Sequence, residues 1–213
     1  MPRRSHDATL PSPLRRRLLR TAATVPFVVL GARVAQARRT PSATEGPFYP
    51  TPAMRFGDID NDLVKIGDAV KRAGGEVILL KGRVLDRQGA PLAGARVEIW
   101  QCDAAGRYLH TGDRRRVRRD AAFQGFGHDI TDADGRYWFR TIKPVPYPGR
   151  APHIHVKVLH GNRALTTQFY IDGHRQNARD VLFRRMSPAA RRTVAMKFAD
   201  GSDGKETNID IWL

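Results

Sequence analysis

From Glu76 onward, apolar residues fall in short runs of β type separated by turn formers. Val77 to Leu85 is apolar and β-branched, Asp86-Arg87-Gln88-Gly89 turns the chain, and Ala95 to Trp100 alternates as a second strand. Asp132-Ala133-Asp134-Gly135 predicts a hairpin turn feeding a strand from Arg136 to Ile142. Pro152 to Leu159, Ala164 to Ile171, Arg192 to Phe198 and Thr207 to Leu213 also read as strands, while only Asn177 to Arg192 suits a short helix or turns. Many short strands at this spacing predict an all-β fold, an antiparallel sandwich or barrel, and an antiparallel β-sandwich with little helix is the expectation for residues 76–213. Residues 38–75 are rich in turn formers and lack periodicity, so they predict an extended N-terminal arm.

The first 37 residues follow another pattern. Arg15, Arg16, Arg17 and Arg20 precede an apolar run from Thr21 to Val34, which ends in Ala35-Gln36-Ala37, a small-x-small cleavage signature. The run is too short to span a bilayer and predicts a signal peptide, hence an exported protein without a membrane span. Arg15-Arg16-x-Leu18-Leu19 has the order of a twin-arginine signal, with an ordinary Sec signal as the alternative.

The formal charge of the 213-residue chain is +16. Removing residues 1–37 takes away seven Lys/Arg and one Asp and leaves +10. Short clusters such as Arg114-Arg115-Arg116, Arg118-Arg119, Arg184-Arg185 and Arg191-Arg192 are most simply solvated surface, able to steer an anion. No recognition helix, zinc finger or stacking motif accompanies them, so no specific nucleic-acid partner is expected. The single cysteine, Cys102, forms no internal disulfide and reads as a buried small hydrophobe. An exported domain without disulfides relies on its core, and a bound metal would add to it.

Candidate chemistry concentrates in Tyr147-Pro148-Gly149-Arg150-Ala151-Pro152-His153-Ile154-His155. His153 and His155 lie two apart on an expected strand, so both imidazoles leave one face as a pair of metal ligands. Taken alone, such a pair also fits one buried and one exposed histidine with no metal. Pro146 and Pro148 stiffen the chain around Tyr147, and Tyr108 follows the expected end of the second strand, where sites are commonly built. Two phenols beside two imidazoles favour ferric iron, a hard ion that lowers a phenol's pKa from about 10. Zinc more often recruits cysteine, histidine or carboxylate.

Several further words extend this pattern: Val97-Glu98-Ile99-Trp100-Gln101, Gly106-Arg107-Tyr108-x-His110, Thr131-Asp132-x-Asp134-Gly135, Phe139-Arg140-Thr141-Ile142-Lys143-Pro144 and Pro152-His153-Ile154-His155. Weaker likenesses lie at Thr44-Glu45-Gly46-Pro47-Phe48-Tyr49, Asp58-Ile59-Asp60-Asn61-Asp62-Leu63 and Thr167-Gln168-Phe169-Tyr170. Together they resemble the intradiol ring-cleavage dioxygenases, most closely the branch formed by the iron-bearing subunit of protocatechuate 3,4-dioxygenase. The resemblance implies Tyr108, Tyr147, His153 and His155 as ligands of one non-haem Fe(III), with Tyr147 the phenolate that leaves. It implies Arg150 beside the substrate and Gln168 lining the same pocket. The partners implied are a small aromatic diol and dioxygen, and a homo-oligomer stays open. The reaction implied is cleavage between the two hydroxyl-bearing carbons to a muconate-type diacid.

Only six positions separate Tyr147 from His153, fewer than in the protocatechuate enzymes, and Gly149 stands where they carry a bulky residue. Protocatechuate itself is therefore not carried over as the substrate. His110, His128, His160 and His174 read as ordinary surface or supporting residues, and Trp100, Trp138 and Trp212 as packing, with Glu45 and Gln124 as minor candidates for cavity lining. Two other functions compete. The pattern Gly82-Arg83-Val84-x-Asp86-x-x-Gly89-x-Pro91-Leu92-x-Gly94-Ala95 also suits a non-catalytic, transthyretin-like sandwich module. The arginine clusters also suit a protein that binds polyanions by salt-dependent contacts.

Overall fold

The computed structural model describes residues 39–54, 59–67 and 72–213; the expected signal peptide at residues 1–37 lies outside the described residues, as does Asp58. Among the described residues, ten strands form two five-stranded sheets packed face to face. One has the order β10 (Ile211–Trp212), β1 (Val77–Leu85), β9 (Gly204–Asn208), β8 (Ala199–Gly201), with β4 (Arg136–Ile142) also paired to β1. The other runs β3 (Phe126–Ile130), β2 (Arg96–Trp100), β5 (His153–His160), β6 (Arg163–Ile171), β7 (Ala195–Met196). Alternation does the work expected of it: Ile78, Leu80 and Val84 from β1, Val97 and Ile99 from β2, and Ile154, Val156 and Val158 from β5 meet in one buried core.

The all-β sandwich is thus borne out, and its sheets are mixed. β1 runs parallel to both β9 and β10, and β6 parallel to β7, beside the expected antiparallel ladders. The expected strand Thr207 to Leu213 is interrupted at Ile209 and Asp210, where Ile209 N–H donates to the Lys81 carbonyl (2.9 Å) between β9 and β10. The expected strand Arg192 to Phe198 shrinks to Ala195–Met196, because a helix claims its first residues. Ser187 caps that helix, α2 (Pro188–Thr193), through Ala190 N–H, and Pro188 opens it without sacrificing a needed donor. A 3-10 turn (Arg175–Ala178) and α1 (Val181–Arg185) complete the helical stretch where one was expected.

Asp132–Gly135 is a tight turn, with Gly135 N–H on the Asp132 carbonyl (3.0 Å) and Gly135 at φ +72°. It is a corner and not a hairpin, since it carries the chain from β3 in one sheet to β4 in the other. β3 itself carries little apolar signal in Phe-Gly-His-Asp-Ile and is an addition to the sequence reading. Its Gly127 is required by close approach, as a Cβ there would overlap the Asp60 carbonyl oxygen. Trp100 is fully buried as expected of a packing residue, whereas Trp138 is 47% exposed on β4 and serves no core. Among the described residues no helix is long and apolar enough to cross a membrane.

β5 positions the site. Its first four residues are buried on both faces, unlike an ordinary sandwich strand with one wet face. Ile154 and Val156 face the core, so His153 and His155 face outward and need a second cover. Residues 39–49 supply part of it. Ala43 N–H donates to the Thr166 carbonyl (2.8 Å), Glu45 pairs with Lys157 (2.9 Å), and the Tyr49 hydroxyl donates to Glu98 (2.6 Å).

Candidate metal centre

The two imidazoles converge as their spacing predicts. His153 Nε2 and His155 Nε2 are 3.1 Å apart. Metal–nitrogen bonds of about 2.1 Å at a near right angle place two ligand nitrogens about 3 Å apart, so the pair suits one ion. His153 Nδ1 lies 2.6 Å from the Ala151 carbonyl, which can only accept. That bond puts the proton on Nδ1 and leaves the Nε2 lone pair directed inward. His155 stacks on Trp100 at 4.7 Å and 13°, which fixes its plane. Gly46 packs so closely that a Cβ there would stand 3.3 Å from His155 Cε1.

Tyr108 reaches the same place from the loop after β2. Asp103 ties that loop through Ala105 N–H and Arg107 N–H (both 2.9 Å), and Asp113 accepts from Tyr108 N–H (2.8 Å). The ring is buried beneath Phe48, stacked at 4.7 Å. Tyr147 sits in a tight turn closed by Arg150 N–H on its carbonyl (2.9 Å), with Gly149 at φ +81° allowing the bend. The four rings close a circuit: Tyr108 to Tyr147 5.6 Å, Tyr147 to His153 5.4 Å, His153 to His155 4.7 Å, and His155 to Tyr108 6.0 Å between centroids.

This donor set fits a hard cation on its own chemistry. The buried Tyr108 oxygen makes no hydrogen bond of ordinary geometry with a described residue, and the Tyr147 phenol stands beside it. Burial raises its pKa well above the usual phenol value, and Tyr147 adds to the rise. Tyr147 is also raised by burial, against the opposing pull of Arg150. Burial holds His153 down at about 4 with help from the Arg150 cation, and His155 well below its ordinary value. Four neutral donors thus converge where a positive ion would draw off the phenol protons. Among the described residues no three His, Cys, Asp or Glu side chains gather to hold an ion, so the phenols are indispensable to any site here.

Arg150 borders the circuit. Its Nη1 lies 3.3 Å from the Tyr147 oxygen, and its Nη2 donates to Gln168 Oε1 (2.5 Å) and to the Tyr170 hydroxyl (3.2 Å). The register that sets Gln168 opposite His155 and Tyr170 opposite His153 brings these groups to the ligand face. All six residues singled out by sequence therefore assemble in one place. Tyr170 and Asp180 were missed. Tyr170 was legible, two residues beyond Gln168 on the same strand; Asp180 is visible only as a polar residue before α1. His110, His128 and His174 bind Gly112 N–H, the Ile59 carbonyl and Gln176 N–H respectively, and the His110 ring also lies 5.8 Å from that of Phe48. Glu45 and Gln124 are occupied by Lys157 and by the Asp60 and Phe126 carbonyls. Cys102 is buried and its thiol pushed up to about 12, chiefly by desolvation, which makes it inert.

Two cavities flank Arg150. One of about 520 Å³ lies over Gln168 and Tyr170, between Thr44 of the arm and Leu182, Arg185 and Met186 of α1 and its end. The other, of about 380 Å³, is bounded by Tyr147, Gly149, Arg150, Arg179 and Asp180. A Cβ at Gly149 would meet nothing within contact distance, so this wall of the cavity is low.

The family model described as Dioxygenase matches residues 44–213. The chain is 42% identical over 159 residues to the protocatechuate 3,4-dioxygenase beta chain of Burkholderia cepacia, covering 69% of this chain and 66% of that one. It is 32% identical over 176 residues to the alpha chain from the same organism, covering 79% and 87%. Its fold is similar to the dioxygenase domain of a dioxygenase–carbohydrate-binding protein fusion from Streptomyces sp. SirexAA-E, at 32% identity and a TM-score of 0.64 over 83% of this chain and 98% of that one. It spans just under two thirds of the beta chain, and 48% and 24% of two further curated relatives. Since the match runs from the arm to the last residue and takes in every residue of the circuit, the chain belongs to the intradiol ring-cleavage dioxygenase family.

Proposed function

We propose that the chain opens the ring of a catechol-type aromatic between its hydroxyl-bearing carbons, with both atoms of dioxygen entering a muconate-type diacid, at one ferric ion held by Tyr108, Tyr147, His153 and His155. The observation that carries this reading is the closure of two phenols and two imidazoles into one circuit, with the Tyr108 oxygen buried and without a hydrogen bond of ordinary geometry. A carrier sandwich has no need of such a set. Ferric iron held there would supply acceptance of charge from a catechol dianion, which would leave a ring carbon open to dioxygen.

The chain's own residues do the rest. Tyr147 is the less buried phenol and borders the smaller cavity, so as phenolate it can leave its place and take a substrate proton at its oxygen. Arg150, already turned toward that oxygen, offsets the negative charge that builds on the substrate. Gln168 is held by Arg150 and Tyr170 beside the circuit, where it limits the orientations of the ring. Phe48 and Gly46 of the arm cover Tyr108 and His155 and keep water from them.

Iron-loaded protein is expected to be burgundy red from phenolate-to-iron charge transfer. It should consume one dioxygen per catechol in a panel of catechol, protocatechuate, hydroxyquinol and chlorinated catechols, with muconate-type products. Colourless protein that retains iron, or cleavage beside the diol instead of within it, would overturn the reading.

We further infer that residues 1–37 direct export by the twin-arginine route, which carries folded and metal-loaded proteins. The support is Arg15-Arg16 ahead of the apolar run and the Ala35-Gln36-Ala37 cleavage signature. Changing both arginines to lysine is expected to hold the uncleaved precursor in the cytoplasm of a bacterial host. Undiminished appearance outside it would remove the twin-arginine assignment.

A further inference from the structure

We propose that Asp180 is a positioning residue that aims the Arg150 guanidinium at the metal circuit; the inference rests on the catalytic reading above and adds a residue to it. The Asp180 side chain has no exposed surface. A buried carboxylate is tolerated only with its lone pairs engaged. Here both oxygens accept twice. Oδ2 takes Arg150 Nε–H (2.8 Å) and Ala151 N–H (2.9 Å), and Oδ1 takes Leu182 N–H (2.9 Å) and Phe183 N–H (3.0 Å).

Those four bonds join two parts of the site. The Oδ1 pair caps α1, whose Leu182 lines the larger cavity, and the Oδ2 pair holds the turn that leads into β5. A guanidinium is planar, so fixing its Nε fixes where both Nη groups point. With Nε committed to Asp180, Nη1 meets the Tyr147 oxygen and Nη2 meets Gln168 and Tyr170. Free of Asp180, the long side chain has other staggered rotamers open to it, including those that turn outward across the smaller cavity. The second oxygen explains why a carboxylate stands here. An amide would turn one of the two oxygens into a donor and set it against two N–H groups, either those of Arg150 and Ala151 or those of α1.

This arrangement predicts a coupling that a merely structural aspartate lacks. Asp180→Asn is expected to lower kcat for a catechol on the order of 10–100-fold while leaving iron content near that of the parent. The charge-transfer band should shift, because Arg150 no longer bears on the Tyr147 oxygen. In an Arg150→Lys background, which lacks the planar fork, the same substitution should cost less than about threefold, because its route of action is already gone. Exchange of the Arg150 Nε–H proton, followed by NMR in the iron-free chain, gives a readout independent of turnover. It should be slow in the parent and faster by more than about tenfold in Asp180→Asn. Asp180→Glu keeps both oxygens and is expected to retain folding should the asparagine variant fold poorly, with an intermediate loss of kcat.

Equal losses in the two backgrounds, or a lowered Tm with kcat and the visible band intact, would overturn the positioning role. Unchanged Nε–H exchange would do so as well. If the parent protein opens no catechol, the catalytic reading fails by itself, and the exchange measurement still decides whether Asp180 orients Arg150.

Discussion

Replacing His153 by alanine is expected to leave a protein that no longer retains iron. The imidazole is buried, its Nδ1 is fixed on the Ala151 carbonyl, and its Nε2 faces that of His155 at 3.1 Å. Loss of a group that merely orients a ligand costs roughly 10–100-fold in metal affinity, and loss of a ligand costs more. Metal analysis after gel filtration should find the parent loaded and the variant empty, with the visible band gone. Full iron in the variant would strike His153 from the ligand set. Acid should act in the same direction. The folded chain holds His153 at about 4, chiefly through burial, against an unfolded value near 6.5. A depressed value of this kind gives stability that is complete above about pH 6.5 and is lost as pH falls towards 4. Protons and metal compete for the same lone pairs, and a bound cation opposes protonation further, so acid should release iron only below about pH 4.

Arg150→Ala is the other change with a large expected effect, and it acts twice. Loss of a charge aimed at the developing negative charge should lower kcat about 10²–10³-fold. The substitution also strands the Asp180 carboxylate, whose side chain has no exposed surface, opposite a vanished cation. Breaking a buried pair from one side costs about 3–5 kcal/mol. Denaturant titration should therefore show a lowered midpoint alongside the kinetic defect. Arg150→Lys keeps a charge and loses the fork, so it should recover more stability than turnover. A variant that keeps kcat within about threefold of the parent would exclude Arg150 from the reaction.

The sandwich was legible because its strands speak for themselves: Val77 to Leu85 and Ala164 to Ile171 coincide with β1 and β6 to within a residue. What escaped was decided by tertiary contact. β3 is held by its ladder with β2 and by the close approach of Asp60, neither of which leaves an apolar alternation in the sequence. The turn Asp132–Gly135 has hairpin chemistry, yet local bonds fix only the bend and not the sheet that each flanking strand joins. The proposed ligand set was legible through Tyr147, His153 and His155, which lie close along the chain, and through the word around Tyr108. Asp180 was not, because a helix cap and a cation anchor look alike until Arg150 arrives beside it.

β5 gives chemistry and cohesion to alternate residues of a single strand, with His153 and His155 on one side and Ile154 and Val156 on the other. An insertion or deletion of one residue within this stretch would turn every residue beyond it to the opposite face, sending an imidazole inward and aliphatic groups towards the proposed ion site. Such a lesion would defeat folding and iron uptake together, and no supply of iron could rescue it. Length changes in this lineage should therefore collect in loops such as the one bearing Gly149, while the stretch from His153 to Val158 keeps its count.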